Sequence, residues 1–125
     1  MNPTDLMYTK EHEWLKLEGT VATMGITDHA QSALGDIVFV EQPEEGTDVA
    51  VGDECLQLES AKAAASIYAS VAGGVCGANE ALEDAPELVN SDPYGEGWMV
   101  KIEIEAKPEG LMTAAEYEVY LEACE

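Results

Sequence analysis

Apolar and polar residues alternate with a period of two over several short segments of this chain, the pattern of half-buried β-strands. The alternation is regular over residues 56–60, before an alanine-rich stretch, and over residues 100–104. Further strands are predicted near residues 15–17, around Val21, and near residues 37–40, 49–51, 67–71 and 75–78. Turn residues such as Gly, Pro and Asp separate these segments. The pattern therefore predicts a mainly β protein.

One segment, residues 37–40, is an unbroken apolar run. Such a run predicts a strand that is buried on both faces. The apolar residues expected to form the core are Trp14, Val38, Phe39, Val40, Leu58, Ile67, Trp98 and Ile102.

Helices are predicted only at the periphery. Residues 27–35 form one short helix, in which Asp28 and Gln31 make a capping pair and Gly35 follows the last turn. Pro86 divides residues 79–90 into two brief turns. A capping box at residues 113–116 opens a C-terminal helix that reaches about residue 123. These elements predict a β-sandwich or barrel with edge helices, in a single domain over residues 1–125 whose core covers about residues 8–107.

Charge narrows the set of partners. The chain has 26 acidic residues, 5 lysines and no arginine, with a net charge of −21. This charge argues against nucleic-acid and anionic-membrane partners. A saline setting and a basic partner groove both explain the excess of acid. The sequence shows no membrane-spanning apolar run and no secretory pattern, so we expect a cytoplasmic location.

No catalytic set is recognisable in the sequence. His12 and His29 lack a neighbouring nucleophile pattern, and no glycine-rich phosphate loop is present. The three cysteines, at positions 55, 76 and 124, have neither disulfide-framework nor zinc spacing. We therefore expect a protein that is not an enzyme, with no catalytic residue and no metal site.

Lys62 stands apart from this acidic background. It lies in a run of 20 residues, 60–79, without an acidic side chain, and it falls between two predicted strands. A lysine at a hairpin tip, with small neighbours, is accessible to an enzyme that acylates it, and its amine forms a stable amide. The alternative is an ordinary solvated lysine on a turn. Since no catalytic set was found, a carrier function is favoured.

Six collinear motifs resemble the glycine cleavage system H proteins, a family of lipoyl carriers. Together they extend over about residues 8–121 in the family's order. They are His12-Glu13-Trp14, residues 25–31, residues 34–40, residues 59–64, residues 79–90, and Pro93-Tyr94-Gly95 with Gly97-Trp98.

The resemblance implies a hammerhead of two antiparallel sheets, the lipoyl/biotinyl-type fold, with lipoate in amide linkage to Lys62. It also implies that Glu59, Ser60, Ala61 and Ala63 form the recognition turn.

Four partners follow from the same resemblance. Glycine decarboxylase (P protein) loads an aminomethyl group, and the aminomethyltransferase (T protein) removes the one-carbon unit. Dihydrolipoamide dehydrogenase (L protein) reoxidises the arm, and a lipoate ligase or a lipoyl/octanoyl transferase attaches it. The resemblance makes Glu13 a candidate contact for the loaded arm.

The chain departs from the family after the lysine. Many members have Ser-Asp before the next Ile or Val, whereas Ala65 and Ser66 stand here before Ile67. One carboxylate that could share the charge of the loaded arm is therefore absent.

Two other functions use the same fold: a lipoate or octanoate relay that donates acyl groups to other lipoyl domains, and an unmodified interaction module. A biotin carrier is disfavoured because no methionine flanks Lys62.

Overall fold

The computed structural model describes residues 6–9, 12–69, 71–105 and 111–124. Nine strands are present in this part of the chain: β1 (Met7–Tyr8), β2 (Glu13–Glu18), β3 (Val21–Ile26), β4 (Ile37–Glu41), β5 (Asp48–Val49), β6 (Glu54–Ser60), β7 (Ala64–Tyr68), β8 (Gly73–Ala78) and β9 (Val100–Ile104). The four helices of the same part are α1 (Asp28–Leu34), α2 (Ala81–Asp84), α3 (Leu88–Ser91) and α4 (Ala114–Cys124).

The strands form two antiparallel sheets, as predicted. One sheet has six strands in the order β1-β2-β3-β9-β8-β5, and the other has three in the order β4-β6-β7. Residues of both sheets, such as Ile102 and Leu58, belong to one buried cluster. The predicted alternation places these side chains inside and leaves Gln57 and Glu103 exposed. Burial of apolar area between the two sheets is therefore the main stabilising contribution.

The prediction that β4 is buried on both faces was wrong, because one face is exposed. Val38 and Phe39 were expected in the core, but they are 55% and 50% exposed, while Ile37 and Val40 are buried. The pairing of β4 with β6 shifts between Ile37 and Phe39. A bulge inserts one extra residue, so that two consecutive side chains lie on the same face. The strand is therefore buried on one face only.

The short helix α1 begins differently from the prediction. Its N-cap is Thr27, whose hydroxyl accepts a hydrogen bond from the Ala30 N–H at 3.2 Å. Asp28 and Gln31 pair with each other instead, through their side chains at 2.7 Å. Gly35 ends the helix with a φ of 82°, which glycine adopts most readily. The predicted division at Pro86 is confirmed, since α2 and α3 are separate helices.

A second buried cluster lies beneath α4. Tyr117 of this helix stacks on Tyr8 of β1, with ring centroids 4.8 Å apart. Trp14 is buried in this cluster, whereas Trp98, which we expected in the core, is only partly buried at its edge. No helix in the described part of the chain is long and apolar enough to cross a membrane.

Candidate functional site: the Lys62 hairpin

Lys62 lies at the tip of the hairpin that joins β6 to β7. Glu59 pairs with Ala64, and the Ser60 N–H donates to the carbonyl of Ala63 at 2.8 Å. When this Ser60–Ala63 hydrogen bond is counted as the last of the hairpin, only Ala61 and Lys62 remain in the loop, and both are exposed. A two-residue loop is the tightest usual hairpin connection, so its register is strongly constrained. The hairpin therefore presents Lys62 at a defined position.

Ser60 holds the loop through its side chain. The Ser60 hydroxyl donates to the Ala63 carbonyl at 3.0 Å. It also accepts from the N–H groups of Ala63, at 3.0 Å, and Lys62, at 3.3 Å. A hydroxyl has one proton and two lone pairs, and all three are used here. The resemblance assigned Ser60 to a recognition turn; in the structure Ser60 stabilises the hairpin turn, and recognition by an enzyme stays a prediction.

The segment after α1 supports the hairpin tip. The Ala61 N–H donates to the Asp36 carbonyl at 2.9 Å. A Cβ atom added to Gly35 would lie 3.0 Å from Cε of Lys62, so the lysine stem crosses over this glycine. Since Gly35 has no side chain, the stem can approach the backbone closely. The root of the lysine is thus held by residues far from it in sequence.

Asn90 braces this support from α3. Its amide nitrogen donates to the side-chain oxygen of Gln31 at 2.9 Å and to the Gly35 carbonyl at 2.8 Å. Its amide oxygen accepts from the Ile37 N–H at 2.8 Å. One side chain thereby joins the end of α1 to the start of β4. Asn90 was not among the predicted site residues, although it belongs to one of the family motifs.

Glu13 lies in the interior and not at the surface. Its side chain is 2% exposed, and Oε2 accepts from the N–H of Tyr68 at 3.0 Å. Oε1 lies 3.4 Å from the hydroxyl of Thr9. Tyr68 is at the end of β7 that is remote from Lys62, about 13 Å along the strand from Ala64 at roughly 3.3 Å per residue. The carboxylate therefore ties β2 to β7 below the hairpin.

The charge of Glu13 affects a neighbouring thiol. The pKa of Cys55 is raised from 9.0 to about 11, first because burial disfavours the thiolate and second because the Glu13 carboxylate repels it. Cys55 is 6% exposed. This thiol is therefore protonated at neutral pH and a poor nucleophile.

The two histidines come together near α4, although they are distant in sequence. Their ring centroids are 4.6 Å apart. Nδ1 of His12 lies 2.7 Å from the hydroxyl of Tyr117, which is also 2.8 Å from Oγ1 of Thr27. Burial raises the pKa of Tyr117 to about 12. Tyr117 therefore stays neutral and connects α4 to the N-cap of α1.

This polar cluster fits a structural role. Within the described residues, no group of three or more His, Cys, Asp or Glu side chains is placed to hold a metal ion. The cluster instead fixes the start of α1, whose end supports Lys62.

Known proteins resemble this chain over nearly its whole length. The family model of the glycine cleavage H-protein matches residues 6–124. A glycine cleavage system H protein of Psychrobacter sp. (strain PRwf-1) is 55% identical over 123 residues, covering 95% of this chain and 97% of the relative. That of Herpetosiphon aurantiacus is 50% identical over 119 residues, with coverages of 95% and 92%.

A solved structure agrees with these relatives. The crystal structure of a glycine cleavage system H protein from Mycobacterium marinum superimposes with a TM-score of 0.91 at 36% identity, and covers 97% of this chain and 99% of that one. Family model, relatives and fold all agree, and the chain belongs to the glycine cleavage H-protein family.

Proposed function

We propose that Lys62 carries a lipoyl group in amide linkage and that the chain shuttles an aminomethyl group within the glycine cleavage system. The group is received at glycine decarboxylase and delivered to the aminomethyltransferase, and dihydrolipoamide dehydrogenase then restores the carrier. The observation that carries this proposal is the position of Lys62, exposed at the tip of a two-residue hairpin loop.

The residues around Lys62 fit an acylated lysine. Ala61, Ala63 and Ala64 are all exposed, and none has a side chain beyond Cβ. An active site can therefore surround the Lys62 amine without meeting bulky neighbours. When attached, the lipoyl group supplies a disulfide that accepts the one-carbon unit. The protein itself contributes position, because Ser60 and the Asp36 carbonyl hold the root of the arm.

Glu13 is proposed to act on the loaded arm from inside the fold. Its buried carboxylate would attract the ammonium of the aminomethyl group, and partial burial strengthens such an attraction. Direct contact requires the arm to reach about 13 Å, the length of β7 from Ala64 to Tyr68. The contact also requires the arm to enter beside Tyr68, because Glu13 is 2% exposed.

Intact-protein mass spectrometry tests the attachment. Protein purified from its own host under lipoate-replete growth should carry the mass of one lipoyl group, and Lys62→Arg should lose it. Lys101→Arg on β9 is the matched control and should keep the added mass. A native protein that is wholly unmodified would refute the carrier function.

The shuttle itself needs a second assay. The lipoylated protein, mixed with glycine decarboxylase, the aminomethyltransferase and tetrahydrofolate, should release ammonia from glycine. Failure here, with normal transfer of the acyl group to other lipoyl domains, would instead support a relay function.

The absent carboxylate after Lys62 gives a further test. Ser66 is half-buried on β7, opposite Gln57. We expect Ser66→Asp to lengthen the half-life of the loaded form, because a second carboxylate adds attraction for the ammonium. Ser66→Asn is the uncharged control. An unchanged half-life in the aspartate variant would contradict the electrostatic explanation.

A further inference from the structure

The bulge in β4 exposes two adjacent large apolar side chains. Val38 is 55% exposed and Phe39 is 50% exposed. Other exposed large apolar residues of the described part, such as Val51 and Val119, stand alone in the sequence. Single exposed apolar residues are normal, whereas contiguous ones indicate an interaction site. β4 is moreover an edge strand, hydrogen-bonded only to β6 within its sheet.

This apolar pair lies beside Lys62. Phe39 is directly opposite Glu59, and Ile37 is opposite Ser60. Paired residues share a face of the sheet, so Phe39 and Glu59 both point outward. Lys62 is three residues beyond Glu59, which places it about 10 Å from the pair along the hairpin. A protein that binds around the Lys62 amine is therefore close enough to contact Val38 and Phe39 as well.

The charges around the pair indicate the chemistry of that protein. Asp36, Glu41 and Glu59 are all exposed and flank Val38 and Phe39 in sequence or across the strand pair. The complementary surface is an apolar pocket with a rim of lysine or arginine side chains. The net charge of −21 adds long-range attraction to a basic partner.

We propose that Val38 and Phe39 are the docking residues for the enzyme that acylates Lys62, and that they fill an apolar, basic-rimmed pocket on it. This inference rests on the proposed function. The acylating enzyme is the occupant because it must hold the hairpin before any arm exists. Partners that act at the far end of the arm need no contact so close to its root.

The reaction that this docking serves is an acyl transfer. The lone pair of the Lys62 amine attacks the carbonyl carbon of a lipoyl or octanoyl group that is activated as an adenylate or thioester. An amide bond forms, the bond to the activating group breaks, and that group leaves with its electron pair. The nitrogen loses one proton to solvent. Docking at the pair therefore lowers KM for the protein and leaves the chemical step to the enzyme.

The test measures acylation of the purified unmodified chain by a purified lipoate ligase, with lipoate and ATP. In Val38→Ser with Phe39→Ser, KM for the protein should rise about tenfold or more, since apolar burial at the interface is lost, and kcat should change little. Phe39→Leu should largely retain the wild-type KM. Val51→Ser and Val119→Ser are matched controls, because these valines are at least as exposed as Val38 and Phe39, and both variants should behave as wild type. Circular dichroism confirms that each variant is folded.

The charged rim is tested in the same assay. Glu41→Gln with Glu59→Gln should raise KM at low salt and flatten its dependence on salt, because fewer charges attract the ligase. Glu118→Gln on α4 is the control and should change neither.

The outcomes separate the two proposals. If the ligase acylates the wild type and the serine pair with equal KM, the docking inference is overturned and the carrier function stands. A wild-type chain that is not acylated at Lys62 overturns both. The double variant Val38→Ser with Phe39→Ser could instead change only the self-association of the chain, as measured by light scattering. In that case Val38 and Phe39 form a contact between copies of the chain, and the docking inference is again overturned.

Discussion

Replacing Gly25 with alanine should destabilise the protein through one aromatic ring. Gly25 lies directly opposite Trp14 in the β2–β3 pair. A Cβ atom added there would lie 2.7 Å from Cε2, Cζ2 and Nε1 of the indole. The ring has little freedom to move, because Trp14 is 2% exposed and its Nε1 donates to the Pro93 carbonyl at 2.9 Å. Alanine therefore needs a displacement of packed core atoms.

The size of the effect is a balance of one stabilising and two destabilising contributions. A Gly→Ala change at an unstrained site stabilises by about 0.4–1 kcal/mol through the unfolded chain. Overpacking a core costs about 1–3 kcal/mol, and loss of the bond to Pro93 costs about 1 kcal/mol more. The net free energy of unfolding should fall by about 1–3 kcal/mol. For a domain of this size, Tm should fall by roughly 4–10 °C.

Urea unfolding with a matched control measures this difference. Gly77 on β8 is the control, because an added Cβ there meets only the Lys101 side chain, at 3.7 Å or more. Gly77→Ala should be neutral or slightly stabilising. Gly25→Ala should lower the urea midpoint without changing m, the dependence of the free energy of unfolding on urea concentration. In a Trp14→Leu background, Gly25→Ala should lose most of its cost, because the ring is gone. If Gly25→Ala is no more destabilising than Gly77→Ala, the clash argument is wrong.

Four other predictions follow from single contacts and from charge. Gly35→Ala should lower the free energy of unfolding by about 1–3 kcal/mol, because φ 82° and ψ −159° suit glycine almost alone; a variant as stable as wild type in urea would contradict this. Tyr117→Phe should cost about 1–3 kcal/mol in the same assay, since buried Thr27 loses a partner, and an unchanged midpoint would disprove it. Folding raises the pKa of Cys55 from 9.0 to about 11, so as the pH rises the thiol ionises in the unfolded chain before it does in the folded one. Ionisation favours the unfolded chain, and the free energy of unfolding should therefore fall between pH 9 and 11. Thermal melts of Cys55→Ala should show a weaker decline, and equal slopes would count against the shift. Added NaCl should raise the Tm of the wild type by screening the charge of −21, and a flat salt series would exclude self-repulsion.

Local pattern was enough for the lysine and for every described strand except β1, which was not predicted. Alternation over residues 56–60 and 100–104 reflects a pleated backbone with one buried face, and this depends only on neighbouring residues. Pro86 breaks a helix through its own ring, so two short helices were predictable as well. The position of Lys62 between two strands also followed from sequence alone. Its expected cargo, lipoate, came from the family resemblance and not from the pattern of residues.

Tertiary structure decided where β4 faces the solvent. The unbroken apolar run at residues 37–40 predicted burial on both faces, but pairing with β6 inserts a bulge that exposes Val38 and Phe39. A bulge is a mismatch between two strands, so one strand's sequence does not reveal it. Pairing between strands also decided where β7 begins. The short loop at Lys62 sets the register of β7 against β6, so β7 starts at Ala64.

The support of the site was also decided by contacts remote in sequence. Glu13 is buried against the Tyr68 N–H, 55 positions away, and Asn90 reaches the Gly35 carbonyl across the same separation. A buried carboxylate or amide needs hydrogen-bond partners, and only the folded chain brings those partners within reach. The sequence by itself thus determined most of the elements and singled out the lysine for which we propose modification. The fold determined how that lysine is held, because its supports come from α1, α3 and β4 and meet only after the sheets have packed.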